Sequence, residues 1–327
     1  MNRDRSLDIG KGLAILFVYL GHSILYQPIQ MANMYGWCHI LERTIASFNM
    51  PMFFLISGYL FSKTNKSTGE LYKGKTLRIL IPYLFTMLIV ICSKLVLPSS
   101  MSYNSSVLGG ISLIINALCC GGDRWFAYVL FMIFLLVIPF RKELKNKWVA
   151  LGVIAVSMLI YFLDFMPSIF KLDDVFHFIT FFIVGMCLNE KYVNIKAMSQ
   201  KYWGLIYGVF ILANIVFIGQ LCHYKIVYRF ILPFTGTLAV MTLAFQLEKL
   251  LNRSKVVQYV EYIGKYSLQF YLFTFPYPII RTILVSKMGM TNPYEIFFLV
   301  FVLQLLTVTP IVEISRRIKW LKIPCGS

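Results

Sequence analysis

The sequence predicts an all-α, polytopic membrane helical bundle of about ten transmembrane helices, plus one short apolar helix that does not cross. Three observations carry that prediction. Of 327 residues, 58% are hydrophobic and only 14% are charged, a balance unlike that of a soluble globular chain. The apolar residues arrive in runs long enough to span a hydrocarbon core about 30 Å thick. Compact basic groups separate the runs and fall in every second loop.

In chain order the first five crossings fall at about 12–31, 44–62, 78–97, 124–140 and 149–166. The second five fall at about 174–190, 202–220, 228–248, 262–284 and 294–314. The first run lacks a small-residue cleavage pattern after it, so it reads as a retained helix and not a signal peptide. The second carries Pro51, which frees backbone groups, and Ser57-Gly58, which permits close helix approach. Residues 107–120, from Val107 to Cys120, are apolar but too short to cross, and read as a re-entrant or interfacial helix on the outer face.

The basic groups fix the orientation. They are Arg3, Arg5 and Lys11; Lys63, Lys66, Lys73, Lys75 and Arg78; and Arg141, Lys142, Lys145 and Lys147. Later come Lys191, Lys196 and Lys201; Lys249, Arg253 and Lys255; and Arg316, Arg317, Lys319 and Lys322. Ten crossings put all of these, 22 of the 31 basic residues, on one side. That is the positive-inside pattern of a multi-pass plasma membrane protein with both termini cytoplasmic. The net charge of +17 therefore reports orientation, and no nucleic-acid partner is expected.

The chain reads as a single membrane-embedded domain, 1–327, with short loops, no low-complexity segment and no inverted repeat of the kind many transporters carry. The tail after Arg316 is too short for a further soluble module. The seven cysteines and four histidines show no ligand spacing, so no metal is expected. His177 and His223 read as packing and loop residues.

The residues with chemistry begin in the first helix. Lys11 and His22 are eleven residues apart, hence on one face of a helix and about 16.5 Å apart along its axis. Lys11 then lies at the cytoplasmic mouth and His22 near mid-membrane, where an ionisable side chain marks a candidate site. Asp8, one turn before Lys11, either orients that lysine, pairs with Arg5 or serves as a helix N-terminal carboxylate. Lys75 and Arg78 are spaced to meet one ligand from the start of the third crossing, or to act as ordinary anchors. On the outer side His39, Glu42, Arg43, Arg124 and Trp125 are available to an acceptor, Glu42 being the carboxylate best suited to a sugar and also a candidate interfacial salt bridge.

Several segments resemble one family. Arg5-Ser6-Leu7-Asp8, Lys11-Gly12 and Gly21-His22-Ser23 are similar to the opening of the acyltransferase family 3 membrane proteins. The stretch Phe48-Asn49-Met50-Pro51-Met52-Phe53-Phe54-Leu55-Ile56-Ser57-Gly58-Tyr59 resembles that family's second helix. Lys75-Thr76-Leu77-Arg78 before Pro82, Arg124-Trp125-Phe126, and Gly264 to Leu272 continue the likeness to about Tyr277. Lys11, Asn49 and Thr274 stand where many members have arginine, histidine and histidine.

The resemblance implies a membrane O-acyltransferase of the bacterial cytoplasmic membrane. It would move an acyl group, expected to be acetyl, from cytoplasmic acyl-CoA to a hydroxyl of a cell-surface glycan or its lipid-linked precursor. His22 and Asp8 are then the catalytic candidates, and Lys11, Lys75 and Arg78 hold the phosphates of the acyl-CoA. Glu42, Arg124 and Trp125 meet the acceptor, with membrane lipids around the bundle. His22 would act either as general base or as the group that accepts the acyl. Two other classes fit the same residues: a transporter or flippase of a glycan or lipid-linked sugar, indifferent to acyl-CoA, and a catalytically degraded relative serving as sensor or scaffold.

Overall fold

The structure, a computed structural model, describes residues 4–25, 35–96, 110–163, 166, 169–218, 227–251, 253–274 and 276–326. Arg3, Cys222, His223 and the expected span ends at 26–31, 97, 107–109, 164–165 and 219–220 lie outside the described residues. Among the described residues the chain is helical throughout, with no strand. The helices are α1 (Arg5–Leu25), α2 (Gly36–Ser62), α3 (Thr68–Lys75), α4 (Ile81–Val96), α5 (Gly110–Cys120), α6 (Trp125–Val137), α7 (Lys147–Phe162) and α8 (Leu172–Cys187). There follow α9 (Tyr192–Lys201), α10 (Trp203–Ile218), α11 (Leu232–Leu250), α12 (Lys255–Lys265), α13 (Ser267–Leu272), α14 (Pro276–Thr282) and α15 (Pro293–Arg317).

Among the described residues six stretches are long and apolar enough to cross a membrane: Arg5–Ile24, Gly36–Ser62, Thr68–Ser93, Ile111–Val137, Arg229–Leu250 and Pro293–Arg317. The shorter apolar helices Lys147–Phe162 and Trp203–Val216 add to them. Two expected segments differ in form. The span drawn at 262–284 is not one helix but three, α12, α13 and α14, with breaks at Tyr266 and Phe273 and a π turn at Ile283–Lys287 after α14. The apolar segment ending at Cys120 is a separate helix because the chain turns at Gly121 (φ +73°) and Gly122 (φ +48°), a backbone that favours glycine.

Two glycine-mediated crossings organise the core. Helix α1 packs most extensively on α12, and α2 on α8. At the first crossing a Cβ on Gly12 would lie 1.9 Å from the Val260 carbonyl oxygen, and one on Gly264 would lie 1.6 Å from that of Asp8. At the second, Gly58 meets the Phe182 carbonyl and Gly185 the Leu55 carbonyl at comparable distances. Backbone touches backbone at both, as small residues allow in apolar surroundings where water supplies no drive for association. The central aromatic layer then fills around α2, with Phe54 stacked on Phe178 at 4.5 Å and edge-on to Phe126 at 4.9 Å.

Side-chain contacts gather all six basic groups at one end of this bundle. Ser6 meets Tyr192, and Tyr192 packs on Tyr59, whose hydroxyl receives a hydrogen bond from Lys63. Arg141 reaches the Lys66 carbonyl. Lys196 pairs with Glu248 at 2.7 Å, Arg5 with Glu261 at 2.5 Å, and Arg316 with Glu313 at 2.9 Å, where Tyr262 also bonds. The alternation of basic loops seen along the sequence is thus a shared face in space.

Candidate active site

Helix α1 carries the line of the site. It runs unbroken through Lys11 and His22, which at about 1.5 Å per residue sets them about 16.5 Å apart along the axis. Its rotation is fixed from two sides. Asn49, with its amide oriented to suit both partners, donates to the Ala14 carbonyl at 2.9 Å and accepts from the Val18 N–H at 3.2 Å. Tyr19 donates from its hydroxyl to the Phe270 carbonyl at 2.8 Å. Asn49, which replaces a histidine of the resembled pattern, therefore braces the turn midway between the two ionisable residues.

At the basic end Asp8 pairs with Lys11 at 2.8 Å, both side chains largely buried. The pair with Lys11 is one of the contacts open to Asp8, and Arg5 pairs with Glu261. Lys11 lines a cavity of about 200 Å³ together with Lys75, Ser57, Phe126, Ser267 and Tyr271. Lys75 also lines a second cavity, of about 520 Å³, with Lys66, Lys73 and Arg78. Lys75 is thus common to both, its Nζ 3.6 Å from the Phe134 ring centroid.

Lys75 and Arg78 straddle the start of a π turn, Thr76–Leu80. A π turn winds less per residue than an α-helix, so the pair does not stack as i and i+3 would. Lys75 turns inward to the first cavity, while Arg78 stays exposed and lines the second.

At the far end of the cavity Tyr271 accepts from the Phe126 N–H at 3.2 Å. Two residues earlier, Arg124 is 5% exposed and donates from Nε to the Leu272 carbonyl at 2.9 Å and from Nη1 to the Asp123 carbonyl at 3.2 Å. The guanidinium lies within electrostatic reach of His22. His22 itself is partly accessible and stacks on Tyr277, ring centroids 4.8 Å apart and planes within 4°. One turn beyond Tyr277, Arg281 is 1% exposed and donates from Nη2 to the carbonyl of Ser23, the residue after His22, at 2.5 Å.

The remaining expected residues sit as follows. Glu42 is half-buried on α2 with His39 and Arg43 as neighbours. Ile45, three residues on, packs near Gly21, so Glu42 lies about 4.5 Å further along the axis than His22's neighbour. Trp125 packs on Phe178 at 5.6 Å, within the aromatic layer. Thr274 donates to the Tyr271 carbonyl at 2.9 Å, closing the end of α13. The structure thus brings Lys11, Lys75 and Asp8 together at one end, and His22 and Arg124 together above them.

Sequence reasoning missed Tyr277 and Arg281. The signal was present: Arg281 is the one charged residue of the apolar run 266–286, and an ionisable group at such depth is a site candidate. Among the described residues no group of three His, Cys, Asp or Glu side chains is placed to hold a metal ion.

The family model described as an acyltransferase domain (Acyl_transf_3) matches residues 4–312. Nodulation protein NolL of Mesorhizobium japonicum (strain LMG 29417 / CECT 9101 / MAFF 303099) is 26% identical over 293 residues, covering 83% of this chain and 75% of that protein. Nodulation protein NolL of Sinorhizobium fredii (strain NBRC 101917 / NGR234) is 32% identical over 151 residues, 45% of this chain and 40% of that protein. No solved structure matches. With the family model spanning nearly the whole chain and the long apolar helices to embed it, the protein belongs to acyltransferase family 3 and is a membrane acyltransferase.

Proposed function

We propose that the protein is an O-acetyltransferase that takes acetyl from cytoplasmic acetyl-CoA and delivers it to a hydroxyl of a cell-surface glycan or its lipid-linked precursor. The observation that carries this reading is one helix, α1, with a cation at the mouth of a cavity and a partly accessible histidine one pantetheine-length above it. Lys11, Lys75 and Arg78 hold the donor phosphates, Lys75 from its position between the two cavities. Asp8 aims Lys11. His22 takes the proton of the acceptor hydroxyl as general base, its ring held flat against Tyr277. The acceptor approaches from the opposite side of the membrane, past Glu42, Arg124 and Trp125.

This reading treats residues 1–327 as a single membrane-embedded domain crossing the plasma membrane about ten times. The basic end is cytoplasmic by the positive-inside rule, and with it both termini. The short helix α5 is re-entrant or interfacial on the outer face.

The test is acyl transfer in reconstituted vesicles, with labelled acetyl-CoA on the side of the basic end and wild type compared with His22→Ala at matched folding. Transfer or label release that disappears in the variant supports the reading. Folded protein that neither binds nor turns over acetyl-CoA defeats it, and a transporter of glycans or lipid-linked sugars takes its place.

A further inference from the structure

Arg124 has a place in the site that acceptor contact does not explain. The tight turn Gly122–Arg124, entered through the positive-φ residues Gly121 and Gly122, carries its side chain inward to the end of α13. There Nε and Nη1 are spent on backbone carbonyls, which fixes the plane of the guanidinium. Nη2 is buried and makes no hydrogen bond with any described residue. Helix α13 also receives the Tyr19 hydroxyl at Phe270, and Tyr19 lies one turn before His22 on α1. The cation is therefore tied to the same short helix that anchors α1 one turn before the histidine, within electrostatic reach of His22.

A buried donor that is oriented but unspent is costly to keep, and acyl transfer is a reaction that uses one. On the reading of the protein as an acetyltransferase with His22 as base, we infer that Arg124 Nη2 is the oxyanion donor of the reaction. The acceptor oxygen bonds to the thioester carbonyl carbon while its proton passes to the His22 imidazole. The carbonyl π pair moves onto the carbonyl oxygen, and that oxyanion is held by Arg124. When the carbonyl re-forms, the carbon–sulfur bond breaks, and the departing thiolate takes the proton from the imidazolium. Alcohol and thioester become ester and thiol, with His22 and Arg124 unchanged.

The deciding experiment compares Arg124→Gln, Arg124→Lys and wild type in vesicles, with folding followed by thermal melting. Loss of the oxyanion donor lowers kcat in Arg124→Gln by about 10²–10³-fold while KM for acetyl-CoA stays put, the size seen when one such donor is removed. Arg124→Lys, which keeps the charge without the fork, recovers part of that loss, and guanidinium ion restores turnover to Arg124→Ala, which a mere tether between helices would not allow. An Arg124→Gln protein that folds and keeps its kcat overturns the inference. So does a loss confined to the acceptor KM, which makes Arg124 an acceptor contact and leaves the acetyltransferase reading standing. If Arg124→Gln does not fold, Arg124→Lys decides: unchanged kcat overturns the inference and a selective kcat loss supports it. Wild-type protein inert towards acetyl-CoA defeats the parent reading before any variant is made.

Discussion

Replacing Gly264 by alanine adds one methyl group where two helix backbones meet. The new Cβ would stand 1.6 Å from the Asp8 carbonyl oxygen and 2.7 Å from the Gly12 nitrogen. Ordinary contact begins at 3.4 Å, so α12 must retreat from α1 by about 1.8 Å. Neither neighbour is a side chain that can swing aside. Overpacking of this kind costs about 1–3 kcal/mol, and the thermal midpoint falls by about 2–4 °C for each of them. The functional cost is larger. Asp8 and Lys11 ride on α1 at this crossing, while Lys75, which shares the cavity of Lys11, does not. A misplacement near 1 Å costs a reaction about 10²-fold, so acetyl transfer in reconstituted vesicles drops by about that factor. Gly208→Ala in α10 is the control, because nothing lies within 4 Å of its Cβ. There alanine gains about 1 kcal/mol of helix propensity and activity is unchanged. A Gly264→Ala protein with the melting point and transfer rate of Gly208→Ala would falsify the close-crossing account of the site.

Two further outcomes follow from the same geometry. Lys75→Ala raises KM for acetyl-CoA about 10-fold or more, the worth of one charge-assisted hydrogen bond, and the wild-type KM climbs with added salt; steady-state kinetics at two ionic strengths checks both, and a KM indifferent to the substitution removes Lys75 from donor binding. Tyr277→Leu loses the flat aromatic support of His22 and turns over about 10-fold more slowly than Tyr277→Phe, with donor KM equal in the two; equal kcat values would reduce the stack to packing.

Much of the fold was legible because length and hydropathy are local properties. Helices α4, α6, α7, α8, α10, α11 and α15 lie within about four residues of the expected runs, whereas α1 and α2 start at Arg5 and Gly36, well before the expected 12 and 44. The break of 262–284 was legible in part: Pro276 has no N–H to donate to the Leu272 carbonyl, so α13 cannot run on into α14. What no local pattern announces is the donor that takes up that carbonyl, Arg124, 148 residues earlier in the chain. The π turn after Lys75 is equally silent in the sequence, since Thr76-Leu77-Arg78-Ile79-Leu80 reads as ordinary helix. Within the site, Lys11, Asp8 and His22 could be placed from spacing along one helix. Arg281 could be flagged as a lone charge in an apolar run, but its contact with Ser23 and that of Tyr277 with His22 could not be read, because those partners lie on α1, more than 250 residues away.

The crossing of α1 on α12 has a consequence for biogenesis. Helix α1 has its most extensive contact with a helix made some 250 residues later, and Arg5 and Tyr19 wait for Glu261 and Phe270. At about 5–20 residues per second, that is a delay of about 10–50 s. During that interval α1 carries an incompletely housed lysine and histidine in the bilayer, with α2 as the partner already synthesised. Asn49, bridging α2 to the Ala14–Val18 turn, is then the brace that holds the N-terminal pair in register until the C-terminal helices close over it.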